Sequence, residues 1–122
     1  MTETPHIVEN LMAEVSPPPH GILSLTIHDG DGLRLVLFGF ATGEELSEHT
    51  AARPAVVHVL TGDADVTVGE LRRSLGPGAW IHMPASTSHS IRATSPLTIA
   101  LYLLGPTARS AGVDANGGAS PA

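Results

Sequence analysis

The stretch Ala55-Val56-Val57-His58-Val59-Leu60-Thr61-Gly62-Asp63-Ala64-Asp65-Val66-Thr67-Val68-Gly69-Glu70-Leu71-Arg72-Arg73-Ser74-Leu75 decides the fold. It holds three short apolar runs, 55–60, 64–68 and 71–75, divided by Thr61-Gly62-Asp63 and Gly69-Glu70. Val and Leu dominate the runs, and glycine supplies the positive φ that tight turns require. The same pattern extends in both directions, to runs 22–28, 33–40, 79–83, 89–93 and 97–104. Their dividers are Asp29-Gly30-Asp31-Gly32, Ala41-Thr42-Gly43, Gly76-Pro77-Gly78 and Ser95-Pro96. Evenly spaced short strands with such breaks predict an all-β sandwich or barrel. No long stretch has helical period.

Composition narrows the function classes. The chain has 122 residues, 42% of them apolar, which suits one small domain with a single core. Six Arg, no Lys and twelve acidic residues leave a net charge of −6, so no nucleic-acid partner is expected. No apolar run is long enough for a membrane span. The start, with Glu3 and Glu9, lacks the basic and apolar regions of a signal peptide, and a cytoplasmic location is expected. The absence of cysteine excludes disulfides, thiolate zinc sites and Cys nucleophiles.

The ends differ from the middle. Residues 1–19 form an N-terminal arm that closes with Ser16-Pro17-Pro18-Pro19, a stiff extended segment. Within it Ile7, Leu11 and Val15 recur every four residues, which suits a short amphipathic helix or an edge strand. Residues 105–122, mostly Gly, Ala, Ser and Pro, read as a disordered C-terminal tail. Residues 20–104 are the β-barrel domain. Several of its runs, Leu33-Arg34-Leu35-Val36-Leu37 among them, are apolar on both faces. A second sheet or a partner subunit should cover the outer face, and a homodimer is expected.

Seven histidines stand out beside four aromatic residues. Neutral imidazole binds zinc, iron, nickel or copper, and a site needs three or four converging ligands. His49, His58, His82 and His89 lie in or beside apolar runs and are the candidates. Each also has an ordinary structural reading, such as a core His with one hydrogen bond. His6, His20 and His28 read as surface residues. No Ser/His/Asp arrangement, phosphate-cradling glycine loop or HExxH helix is present.

At His49 and His89 the chain resembles a cupin. The family's second motif is matched by Gly78, Pro84 and His89, with Ser86 and Ala93 at its Gly and Asn positions. The first motif is matched by Gly43, His49 and Gly62, with Ala51 and Ala55 at its second His and its Glu. The segment around Glu48-His49 and His58-Val59-Leu60-Thr61-Gly62 is similar to short single-domain bacterial cupins that carry Gln at position 58. The resemblance implies an antiparallel double-sheet jelly-roll barrel with flexible termini. It implies a divalent transition metal (Fe, Zn, Ni, Mn or Cu) on His49 and His89, with His58 as the replacement third ligand and His82 as its rival. Strand alternation sets 55, 57 and 59 on one face and 56, 58 and 60 on the other, so His58 joins the site only through a bulge.

Fold alone does not fix activity. The resemblance is compatible with a metal-assisted enzyme, such as a dioxygenase, acting on a small enol or carbonyl substrate. The alternative is a non-catalytic barrel that binds or senses a small ligand.

Overall fold

The computed structural model describes residues 4–105. Among the described residues, nine strands form two antiparallel sheets. They are β1 (Ile22–Gly30), β2 (Leu33–Phe40), β3 (Glu45–Thr50), β4 (Ala55–Thr61), β5 (Ala64–Val68), β6 (Leu71–Leu75), β7 (Trp80–Met83), β8 (Ser88–Ala93) and β9 (Leu97–Leu104). One sheet has the order β1-β2-β9-β4-β7 and the other β3-β8-β5-β6. The expected double-sheet barrel is what forms. Only one strand was not expected from hydropathy: β3, whose Glu45-Leu46-Ser47-Glu48-His49-Thr50 contains a single large apolar residue.

Alternation assigns the faces. On β4, Ala55, Val57 and Val59 are buried while Val56 and His58 are only partly so. On β2 and β9 the register pairs Phe40 with Leu97, Phe38 with Ile99, Val36 with Leu101 and Arg34 with Leu103. Directly opposed residues share a face, so these pairs form the inner face of the five-stranded sheet. Phe40, Val57, Val59, Leu97 and Ile99 meet Ala64, Val66, Ile91 and Ala93 from the other sheet in one core. Each fully buried Val, Leu, Ile or Phe contributes about 1.5–3 kcal/mol relative to exposure.

The outer face of the five-stranded sheet is covered in part by the chain itself. Leu35, Leu37 and Ala100 form a second buried cluster, against which Leu11 and Val15 of the arm pack. Leu11 and Val15 thus share one face, but the arm is neither amphipathic helix nor strand. It is irregular, apart from a 3-10 turn at Leu11–Ala13, where the Asn10 side chain accepts from the Met12 N–H at 3.1 Å. Proline at 17–19 removes donors and fixes φ, which stops the turn from growing into a helix. Gly39 permits the arm's approach: a Cβ there would stand 2.9 Å from the Ser16 carbonyl oxygen.

The expected tail, 105–122, lies outside the described residues except for Gly105. Its N–H donates to the Gly32 carbonyl at 2.8 Å.

Burial fades toward one end of the barrel. Leu97, Thr98, Ile99 and Ala100 on β9 are buried, Leu101, Tyr102 and Leu103 partly so, and Leu104 is exposed. The open end therefore lies at Arg34 and Leu103.

Candidate functional site

A cavity of about 280 Å³ opens between the sheets. Phe38, Ile99, Leu101 and Leu103 wall one side, and Leu46 and Ile91 the other. Ala51, Ala55, Met83, Thr50 and His89 complete it. The walls are almost wholly aliphatic or aromatic. Among the described residues, His89 is the titratable side chain that lines it.

His89 sits on the inner face of β8 with Ile91 and Ala93, and is 7% exposed. Its Nδ1 lies 3.2 Å from the Thr87 carbonyl oxygen. A carbonyl can only accept, so Nδ1 carries the proton and donates. That assigns the lone pair of the neutral ring to Nε2.

The expected site residues do not all meet. The β3–β8 register sets His49 directly opposite His89, after a register shift between Leu46 and His49. His58 is placed elsewhere. It is on the outer face of β4, in a groove with Val56, Trp80, Tyr102 and Leu104. No bulge precedes it to turn it inward: the register shift of β4 against β9 lies beyond it, between Val59 and Thr61. His82, opposite Val56 on β7, is on that outer face too. Neither His58 nor His82 lines the His89 cavity.

Ala51 and Ala55, at the positions of two usual ligands, line the cavity with methyl groups. Among the described residues, no three His, Cys, Asp or Glu side chains are grouped to hold an ion. The other described donors lining the cavity are the Thr50 hydroxyl and the Met83 thioether, both poor ligands for a borderline metal. The described residues by themselves do not supply the three or four protein ligands of a tightly held metal.

The loop between β7 and β8 is tied to the cavity wall through the Ser86 N–H, which donates to the Ala51 carbonyl at 2.8 Å. Ser86 has a φ of 64°, the left-handed region that glycine adopts most readily. That is the physical reason for a glycine at this place in the motif. The missed strand β3 contributes Leu46 and Thr50 to the cavity. Its signal was faint because an edge strand at a barrel mouth has few residues to bury.

Two facing antiparallel sheets around a cavity at one open end define a β-barrel with an internal pocket. The cupin domain family matches residues 36–104, and the chain belongs to that family. Its fold is similar to a conserved protein of unknown function from Streptococcus pyogenes, with 26% identity, a TM-score of 0.75, and 87% of this chain and 96% of that one covered. It is also similar to a cupin superfamily protein from Desulfitobacterium hafniense, with 21% identity, a TM-score of 0.74 and coverages of 84% and 98%. KdgF from Halomonas sp. shares the fold at 23% identity, a TM-score of 0.66 and coverages of 78% and 92%. Comparison with curated proteins finds no match.

Proposed function

We propose that this cupin binds a small, largely apolar molecule in the cavity, with His89 as its polar contact. The observation that carries this reading is the replacement of ligand side chains by Ala51 and Ala55, which turns the usual metal position into an apolar wall. Apolar cavities with one or two placed polar groups are typical small-ligand sites. The His89 ring can exchange a hydrogen bond with the polar end of a ligand, as donor or acceptor according to its protonation.

The test is an NMR titration with benzamide as a neutral probe. Saturable shifts are expected at the His89, Ile91 and Leu101 amides and should disappear in Ala55→Leu, which fills the cavity. Unsaturable shifts, or equal shifts in Ala55→Leu, overturn the reading.

The backbone opposition of His49 and His89 favours a second reading, an ion held by that pair and completed by the substrate. Elemental analysis of untagged protein separates the two. Stoichiometric metal that is lost in His89→Ala would move the function to metal-assisted chemistry on an enol or carbonyl substrate. Metal far below stoichiometry supports the ligand-binding barrel.

The assembly proposed is a homodimer. The groove of Val56, His58, Trp80, Tyr102 and Leu104 contains no carboxylate and no Lys or Arg. On a chain of net charge −6, it offers a second copy a face with no formal charge to desolvate.

A further inference from the structure

Arg34 breaks the apolar pattern of β2 at the open end of the barrel. The inner residues of that strand are Arg34, Val36, Phe38 and Phe40, since their partners on β9 are Leu103, Leu101, Ile99 and Leu97. Leu103, directly opposite Arg34, lines the His89 cavity, as do Leu101 and Phe38. A permanently charged guanidinium is thus built onto the inner face beside an apolar cavity. It is half-buried, and its Nε is fully buried with no hydrogen-bond partner among the described residues. A buried N–H of a charged group left unpaired is costly, and native proteins seldom retain one without use.

The other arginine near this end is already engaged. Arg53 donates from Nε to the Leu104 carbonyl at 3.5 Å and from a terminal nitrogen to the Leu103 carbonyl at 3.3 Å. Asp29 is opposite Arg34 on β1 but is exposed, and it leaves the Arg34 Nε unpaired. A planar fork of donors matches a carboxylate in geometry and charge. The walls below it suit a hydrocarbon body.

We infer that Arg34 is the carboxylate-binding residue of the cavity, and that the ligand is a small apolar acid, aromatic or branched. This rests on the ligand-binding reading of the cavity and names its substrate class. The body of the acid packs on Phe38, Leu101 and Leu103, with its charged end at Arg34 and its far end toward His89.

The experiment compares acids with their neutral amides by calorimetry. Benzoate, phenylacetate and 4-methylpentanoate are matched with benzamide, phenylacetamide and 4-methylpentanamide. The parent should bind at least one acid about tenfold or more tighter than its amide. Arg34→Gln should lose that preference and keep amide affinity. Arg34→Lys should fold as the parent does and retain part of the preference, having the charge without the fork. Asp29→Asn should leave the preference in place. Equal affinity for acid and amide in the parent overturns the assignment of Arg34 while leaving the cavity reading standing. So does an undiminished preference in Arg34→Gln, or a loss of the preference in Asp29→Asn. Binding of neither acids nor amides overturns both.

Discussion

Two residues, Ala51 and Ala55, decide which chemistry this barrel is fitted for. Restoring the family's donors there should restore a metal site. The double variant Ala51→His, Ala55→Glu would add two donors beside His89, which is paired in register with His49. It should retain stoichiometric zinc after dialysis against a weak chelator, while the parent does not, as elemental analysis would show. An unchanged zinc content in the variant would mean that His49 and His89 do not converge. Ser86 supports a second prediction. A non-glycine residue in the left-handed region carries a cost of about 1–2 kcal/mol, partly offset because glycine loses more entropy on folding. Ser86→Gly should therefore stabilise the fold by up to about 1 kcal/mol in denaturant unfolding, and a loss of stability would contradict that account. The motif positions of His49 and His89 were legible through the resemblance to the cupin motifs, not from the histidines' spacing by itself. The place of His58 was legible only in part. Alternation put it outside, and the structure's bulge follows it instead of preceding it.

Among the elements, the strands rich in Val, Leu and Ile were readable because burial on both faces leaves little else to choose. β3 was not, since it is an edge strand with Leu46 as its one large apolar residue. The arm was half readable: the spacing of Leu11 and Val15 reported a shared face, but not that the face is the back of the chain's own sheet. Glycine geometry tests both connections. In Gly39→Ala the new methyl meets Ser16 backbone at 2.9 Å, so the arm must shift. A stability loss of about 1–3 kcal/mol is expected, the range for overpacking, with faster proteolysis of residues 10–19 and unchanged ligand binding. Gly62 is more constrained, with a φ of +84° and a Cβ position 1.9 Å from the Pro96 carbonyl oxygen. Backbone cannot yield there as a side chain can. Gly62→Ala should cost more than Gly39→Ala by thermal or denaturant unfolding, and the reverse order would show that the turn after β4 adapts.

At the scale of the whole molecule, apolar character on both faces of β2 and β9 pointed to a covering layer without saying what supplies it. The arm supplies part, over Leu35, Leu37 and Ala100. Flanking it on the same outer face, Leu23 and Leu25 of β1 are 50% and 41% exposed, and Trp80 of β7 is 64% exposed. β1 and β7 are also the two edges of this sheet, where backbone donors and acceptors await partners. A second copy related by a two-fold axis would bring the Trp80 groove against itself, since a two-fold interface uses the same patch on both subunits. Tryptophan and tyrosine are frequent anchors of such contacts. The parent should therefore have twice the chain mass by light scattering at micromolar concentration. Trp80→Glu should weaken association at least about tenfold, because it introduces two like charges facing one another at the centre of the contact. Its thermal unfolding at high dilution should match the parent's, as Trp80 contributes little to the core. A monomeric parent, or a Trp80→Glu variant that dimerises as the parent does, would place any dimer contact elsewhere and leave the groove a solvated surface.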